Sequence, residues 1–195
     1  QAKGAGRMED ASKGAGHTFL LSIILGVVVA LLGVRFAPDI LGLFSVETAV
    51  YTQALDYLLI TFIISPLALG LYMAHSVFRG LGRTDIPMII ALVVNVVNVI
   101  GDFILVYGLW GFPRMEVAGA ALATSLAHVV GFILAMVFLF RGNSGLRVNL
   151  AAIFKVNLST YRGIFQLGIP SLAEQLFYTL ANLASLFLIA YMGTL

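Results

Sequence analysis

The chain of 195 residues predicts an all-α fold, a polytopic integral membrane helix bundle. Three observations carry that expectation. Hydrophobic residues make up 61% of the chain and charged residues 10%, with a mean hydropathy of +1.03, whereas soluble domains carry about 25% charged residues. The apolar residues fall in runs long enough to cross the ~30 Å hydrocarbon layer as helices. The cationic residues sit between those runs, and unevenly. Lys3, Arg7, Lys13, Arg79, Arg83, Arg141, Arg147, Lys155 and Arg162 fall on one side of the expected membrane, and only Arg35 and Arg114 on the other. The richer side is expected to face the cytoplasm, so the first, third and fifth spans run outward. A pI near 9.1 with a net charge of +2 reflects these loops, and no nucleic-acid partner is expected. Cysteine is absent, so no disulfide constrains the chain.

Residues 1–16 are polar and glycine-rich and predict a loop or amphipathic connector. The first span is expected over 18–34 and is ended by Arg35, Pro38 and Asp39. Ser45 offers an N-cap to the second helix, whose apolar part covers 57–77 and is interrupted by Pro66, a kink that membrane helices tolerate when neighbours satisfy the exposed carbonyl. Arg79 and Arg83 close it. Asp85 is expected to cap the third helix, with Pro87 in its first turn. The third span covers 86–110 and ends in an aromatic belt of Tyr107, Trp110 and Phe112. The fourth covers 116–140 and opens on VAGAALATSLA, small residues that let helices approach closely in lipid. The polar stretch 141–162, with a short interfacial helix at 150–156, predicts a cytoplasmic linker between 1–140 and 163–195. A fifth span begins near Gly163 and contains Pro170. The chain starts without Met and ends in an apolar run, as an internal part of a longer protein would.

The third span is the chemically informative one. Asn95, Asn98 and Asp102 fall within one ~60° arc of a helix. A carboxylate inside a membrane is costly and persists where it faces a bundle interior or a wet cavity. The short loop after this span makes the third and fourth helices antiparallel neighbours. Counting from Trp110 and Glu116 places Asp102 level with Thr124, ~12 Å below the outer interface, and Asn98 level with His128. On the fourth helix Val117, Ala121, Thr124, His128, Gly131 and Ala135 form a small or polar stripe expected to face the bundle. Asp102, Asn98 and Thr124 together offer hard oxygen ligands suited to Na⁺, or a carboxylate that desolvation tunes to bind H⁺. Asn95, His128 and, in the fifth span, Glu174 are candidate cavity-lining residues. Each of these residues also has a structural reading: Asp102 and the asparagines as interhelical hydrogen-bonding groups, Thr124 bonded to its own helix, His128 as a satisfied bundle histidine. Asp56 is expected to be wet at the outer edge of the second span.

No catalytic spacing of Ser, His and Asp occurs, nor HExxH or a phosphate-binding glycine loop after a strand, so an enzyme is not expected. Four stretches, QAKGAGR, GLGRTDIPM, NVVNVIGDFILVYG with VAGAALAT, and LGIPSLAEQ, resemble segments of the multidrug and toxin extrusion (MATE) family. The resemblance implies a two-lobe, twelve-helix antiporter, of which this chain holds the end of the second helix through the sixth (1–140), the linker (141–162) and the start of the seventh (163–195). It implies exchange of Na⁺ or H⁺ for cationic or amphipathic drugs by alternating access, in a monomer spanning the plasma or cell inner membrane. No cofactor beyond that coupling ion, and no other metal, is implied. In one prokaryotic branch a fifth-helix Asn-x-x-x-Asp pair and a sixth-helix Thr build an N-lobe cation site, completed by an Asp in the first helix. Asn98 and Asp102 keep that spacing here, and Thr124 is the matching Thr. Tyr178 stands where other members place a seventh-helix glutamate. Two other functions remain as alternatives. A lipid-linked oligosaccharide flippase of the same superfamily predicts cations inside the cavity, and no Lys or Arg lies mid-span. A membrane scaffold predicts that Asp102 matters to stability alone.

Overall fold

The computed structural model describes residues 8–44, 47–141 and 158–193. The expectations for residues 1–7, for the Ser45 cap and for the interfacial helix at 150–156 lie outside these. The chain divides into two units, residues 1–154 and 155–195. The first holds four long helices: α1 (Met8–Gly42), α2 (Thr48–Gly80), α3 (Asp85–Tyr107) and α4 (Glu116–Phe140). All four contain stretches long and apolar enough to cross a membrane. The second unit holds α5 (Leu158–Gly193), which starts before the expected Gly163 and continues through Pro170. No strand occurs among the described residues.

Two further elements, α1 and α3, differ from the sequence expectation at their ends. The connector expected over 1–16 is helical from Met8, and α1 does not stop at Arg35 but runs on to Gly42. Arg35 and Asp39 are four residues apart, and in a helix that spacing pairs them, at 3.3 Å. Pro38 is carried inside the helix. At the start of α3, Thr84 is the N-cap and Asp85 the first helical residue. Instead of capping, the Asp85 carboxylate is forked by Arg83, at 2.9 and 2.8 Å.

Small residues set the helix crossings. A Cβ on Gly26 of α1 would come within 2.4 Å of the Pro66 backbone in α2, so these helices meet backbone to backbone. Pro66 leaves the Phe62 carbonyl without its helical N–H. The Ser65 hydroxyl lies 2.7 Å from that carbonyl and 2.9 Å from the Gly26 carbonyl across the crossing. The α3–α4 pair is as close: a Cβ on Gly119 would lie 2.7 Å from the Leu105 backbone, and one on Gly101 2.9 Å from the Ala123 methyl.

Helix α4 packs against both α2 and α3. The expected stripe is therefore only part of its buried surface. Ala121, Gly131 and Ala135 are buried as expected, while Val117 is 37% exposed. A second row, Gly119, Ala123 and Ala127, is buried too, and its first two members meet α3. The larger core cluster joins Leu71, Ala74 and Phe78 of α2, Ile86 and Ile90 of α3, and Ala135 and Leu139 of α4. It lies at the end of the bundle where Arg79, Arg83 and Arg141 gather. Arg35 and Arg114 lie at the other end, with the exposed Tyr107, Trp110 and Phe112. Large apolar side chains such as Leu31, Ile63 and Leu92 point outward along the helices, a surface suited to lipid and unsuited to water.

Candidate functional site

The α3–α4 connection sets the register of the polar seam. Helix α3 ends at Tyr107, three residues short of Trp110, on Gly108 in the left-handed conformation (φ 71°). Glycine takes that conformation without the steric cost of a Cβ. A 3-10 turn over Leu109–Gly111 follows, and the Met115 amide donates to the Leu105 carbonyl at 3.0 Å. The end of α3 therefore abuts the start of α4 earlier than a count from Trp110 assumes. As a result Asn98, expected level with His128, instead reaches Thr124: its Nδ2 donates to the Thr124 hydroxyl at 3.1 Å.

Asp102 lies one turn beyond Asn98 on α3 and is half-buried. Positions i and i+4 of a helix hold their Cβ atoms about 5–6 Å apart, so Asp102 and Asn98 share one face of α3. The Asp102 Oδ1 is buried and has no hydrogen-bond partner among the described residues. Asn95, on the same arc, is exposed at the outer flank of α3. Glu174 is exposed on α5, within the second unit. Asp56 is exposed, as expected.

Thr124 belongs to two environments. Its hydroxyl accepts from Asn98, while its main-chain carbonyl lies 2.8 Å from His128 Nδ1. A carbonyl only accepts, so Nδ1 carries the hydrogen and Nε2 is the acceptor of the neutral ring. The His128 ring stands edge-on to Tyr72, with centroids 6.1 Å apart.

Thr124, Ser125 and His128 of α4 also line a cavity of about 300 Å³, shared with α2 and Val29 of α1. The α2 side of this cavity has no counterpart among the sequence candidates. Tyr57, Thr61, Ser65, Ala68 and Tyr72 all face it. Their spacing of four, four, three and four residues is one helical stripe and was the available signal. It was hidden because a helix dense in Leu and Ile reads as uniformly apolar.

Long apolar helices, glycine-mediated crossings and a half-buried carboxylate beside an Asn–Thr pair define a multi-pass membrane protein with a polar seam in its interior. The family profile MatE matches residues 1–104, more than half of the chain, and the chain belongs to that family, one of membrane transporters and not of enzymes. Among curated relatives, it is 30% identical over 186 residues to "Uncharacterized transporter YisQ" of Bacillus subtilis, covering 95% of this chain and 40% of that protein. It is 28% identical over 197 residues to "Probable multidrug resistance protein YoeA" of the same organism, covering 100% and 42%. To "Multidrug export protein MepA" of Staphylococcus haemolyticus it is 30% identical over 168 residues, covering 80% and 36%. The chain thus spans about two fifths of the length of these relatives. Among solved structures, the inward-facing conformation of a multidrug resistance MATE family transporter matches with a TM-score of 0.78 at 23% identity, over 87% of this chain and 38% of that one. That likeness is one of fold.

Proposed function

We propose that this chain forms α-helices of the N-terminal lobe, and the first helix of the C-terminal lobe, of a cation-coupled multidrug exporter. The lobe boundary falls in residues 141–162. The protein exchanges Na⁺ or H⁺ for cationic or amphipathic small molecules across the plasma or cell inner membrane, as a monomer of twelve helices in two lobes. The printed names of the relatives, a multidrug export protein and a multidrug resistance protein, support the cargo class.

The observation that carries the coupling mechanism is the buried, unpartnered Oδ1 of Asp102. Leaving a buried acceptor unpaired costs about 1–3 kcal/mol, and more for a charged one. A bound proton or a bound Na⁺ removes that cost. Asn98 and Thr124 add neutral oxygens beside it, and their direct hydrogen bond holds both side chains in place. Binding of the cation favours one access state over the other only if its affinity differs between them. The seam between α3 and α4 supplies that difference when the helices shift against each other.

Replacement of Asp102 by Asn keeps the shape and removes the charge. Cells carrying the full-length Asp102→Asn protein should lose drug resistance by tenfold or more, with the protein still present in the membrane at normal level. Resistance at the wild-type level in those cells contradicts the assignment.

A further inference from the structure

We propose that the α2 wall of the cavity ends in an anion-binding subsite at Arg79, so that the protein takes flat aromatic molecules carrying a carboxylate in preference to the same molecules without one. The proposal names a cargo class within the exporter reading above and rests on that reading.

The α2 stripe does not stop at the cavity. Tyr57, Thr61, Ser65, Ala68 and Tyr72 line the wall. Ser76 and Arg79 follow Tyr72 at spacings of four and three residues, on the same face of the helix. Two hydrogen bonds tie these three residues together. The Ser76 hydroxyl donates to the Tyr72 carbonyl at 3.0 Å, and Arg79 Nη2 donates to the Ser76 hydroxyl at 3.1 Å. An arginine at the end of a membrane helix ordinarily extends its head away from the apolar layer. Here the guanidinium is turned back along α2, towards the cavity. Ser76 holds it one turn from Tyr72, a rise of ~6 Å.

No acid neutralises that charge. Among the described residues, ion pairs join Arg35 to Asp39, Arg83 to Asp85 and Arg114 to Glu116, and none involves Arg79. Ser76 takes one of the N–H groups of the planar fork. The others remain to meet the two oxygens of a carboxylate, the geometry that suits a guanidinium best. Among the described residues no Lys, Arg, Asp or Glu lines the cavity itself, so Arg79 sets the charge preference along this wall.

Tyr72 supplies the platform for the ring. It is 55% exposed and meets His128 edge-on, with centroids 6.1 Å apart, which leaves more than half of its surface open to a second aromatic. The cavity of about 300 Å³ is at the small end of the range for small-molecule pockets and suits one fused ring system. A ring packed on Tyr72 then carries its carboxylate to the Arg79 fork, one helical turn away. That fork lies at the end of the bundle that the charge asymmetry assigns to the cytoplasm, where an exporter loads.

The test uses the full-length protein in detergent and a matched pair of fluorescent xanthene dyes, one with a free carboxylate and the other its methyl ester. Binding is followed by fluorescence anisotropy. Wild type should bind the acid about fivefold more tightly than the ester, as a partly exposed charge pair allows. Arg79→Gln should abolish that preference. Arg79→Lys, which keeps the charge without the planar fork, should restore part of it. A wild type that binds the two dyes equally, or binds neither, overturns the subsite. So does an Arg79→Gln protein that keeps the preference, including one that binds both dyes equally weakened. If Arg79→Gln does not fold, wild type alone decides: about 0.5 M potassium chloride should erase most of the preference by screening, and a preference indifferent to salt overturns the proposal. The exporter reading is judged separately, by expulsion of the ester from cells carrying the wild-type protein. Expulsion without an acid preference in binding refutes the subsite alone, whereas retention of the ester contradicts the exporter reading.

Discussion

Thr124 shows how much one residue can carry when its side-chain hydroxyl and its main-chain carbonyl serve different neighbours. The hydroxyl accepts from Asn98 and the carbonyl from His128. Thr124→Val keeps the volume and leaves the half-buried Asn98 amide without its acceptor. Loss of such a partner costs about 1–3 kcal/mol, so the full-length protein should unfold several degrees lower and bind Na⁺ about tenfold more weakly. Thr124→Ser, which keeps the hydroxyl, should restore both. Thermal unfolding followed with and without Na⁺ checks this, and a Val variant as stable and as tight as wild type contradicts the shared-residue account. The helical period was enough to put Asn98, Asp102 and Thr124 on facing surfaces from sequence. Their depth was misread by about one turn, because the count started from Trp110 while the helix stops at Tyr107. Helix ends depend on turn geometry, and here a left-handed Gly108 and the Met115–Leu105 hydrogen bond set it.

At the scale of elements, glycine fixes how closely helices approach, and that distance is what brings Asn98 within reach of Thr124. Gly119 faces Leu105 backbone, which cannot move aside as a flexible side chain could. Gly119→Ala should therefore separate α3 from α4 and destabilise by about 1–3 kcal/mol. Gly42→Ala is the control, since a Cβ there meets nothing within 4 Å. Comparing the unfolding temperatures of the two variants tests this; equal effects contradict it. Sequence reading recognised the small residues of α4 but assigned one inward stripe where two exist, because it could not show that α4 lies against both α2 and α3. It also ended the first span at Val34, before Arg35, Pro38 and Asp39. A Pro within a helix leaves one carbonyl without a donor, and the described helices carry that defect at Pro38, Pro66 and Pro170. At Pro66 the neighbouring Ser65 hydroxyl compensates, a contact that only the fold brings about on the Gly26 side.

For the whole molecule, composition alone was decisive about class. The long apolar helices and the arginines at their ends follow from it directly. The α2 stripe from Tyr57 to Tyr72 was not legible, since a hydroxyl stripe in an apolar helix gains meaning only when a cavity forms beside it. The charge asymmetry predicts the orientation, and a labelling experiment tests that prediction directly. The chain contains no cysteine, so Thr84→Cys should react with an impermeant thiol reagent only from the cytoplasmic side and Phe112→Cys only from outside; the reverse pattern inverts the topology. The central claim is that the Asp102 carboxylate exists in the seam to meet a mobile cation. It is tested most directly by equilibrium Na⁺ binding, between pH 5.5 and 8.5, to the full-length wild type and its Asp102→Asn variant. The account predicts saturable binding that protons displace in the wild type and no saturable binding in the variant. Equal Na⁺ binding by both, or a wild type that binds neither Na⁺ nor a competing proton, contradicts it.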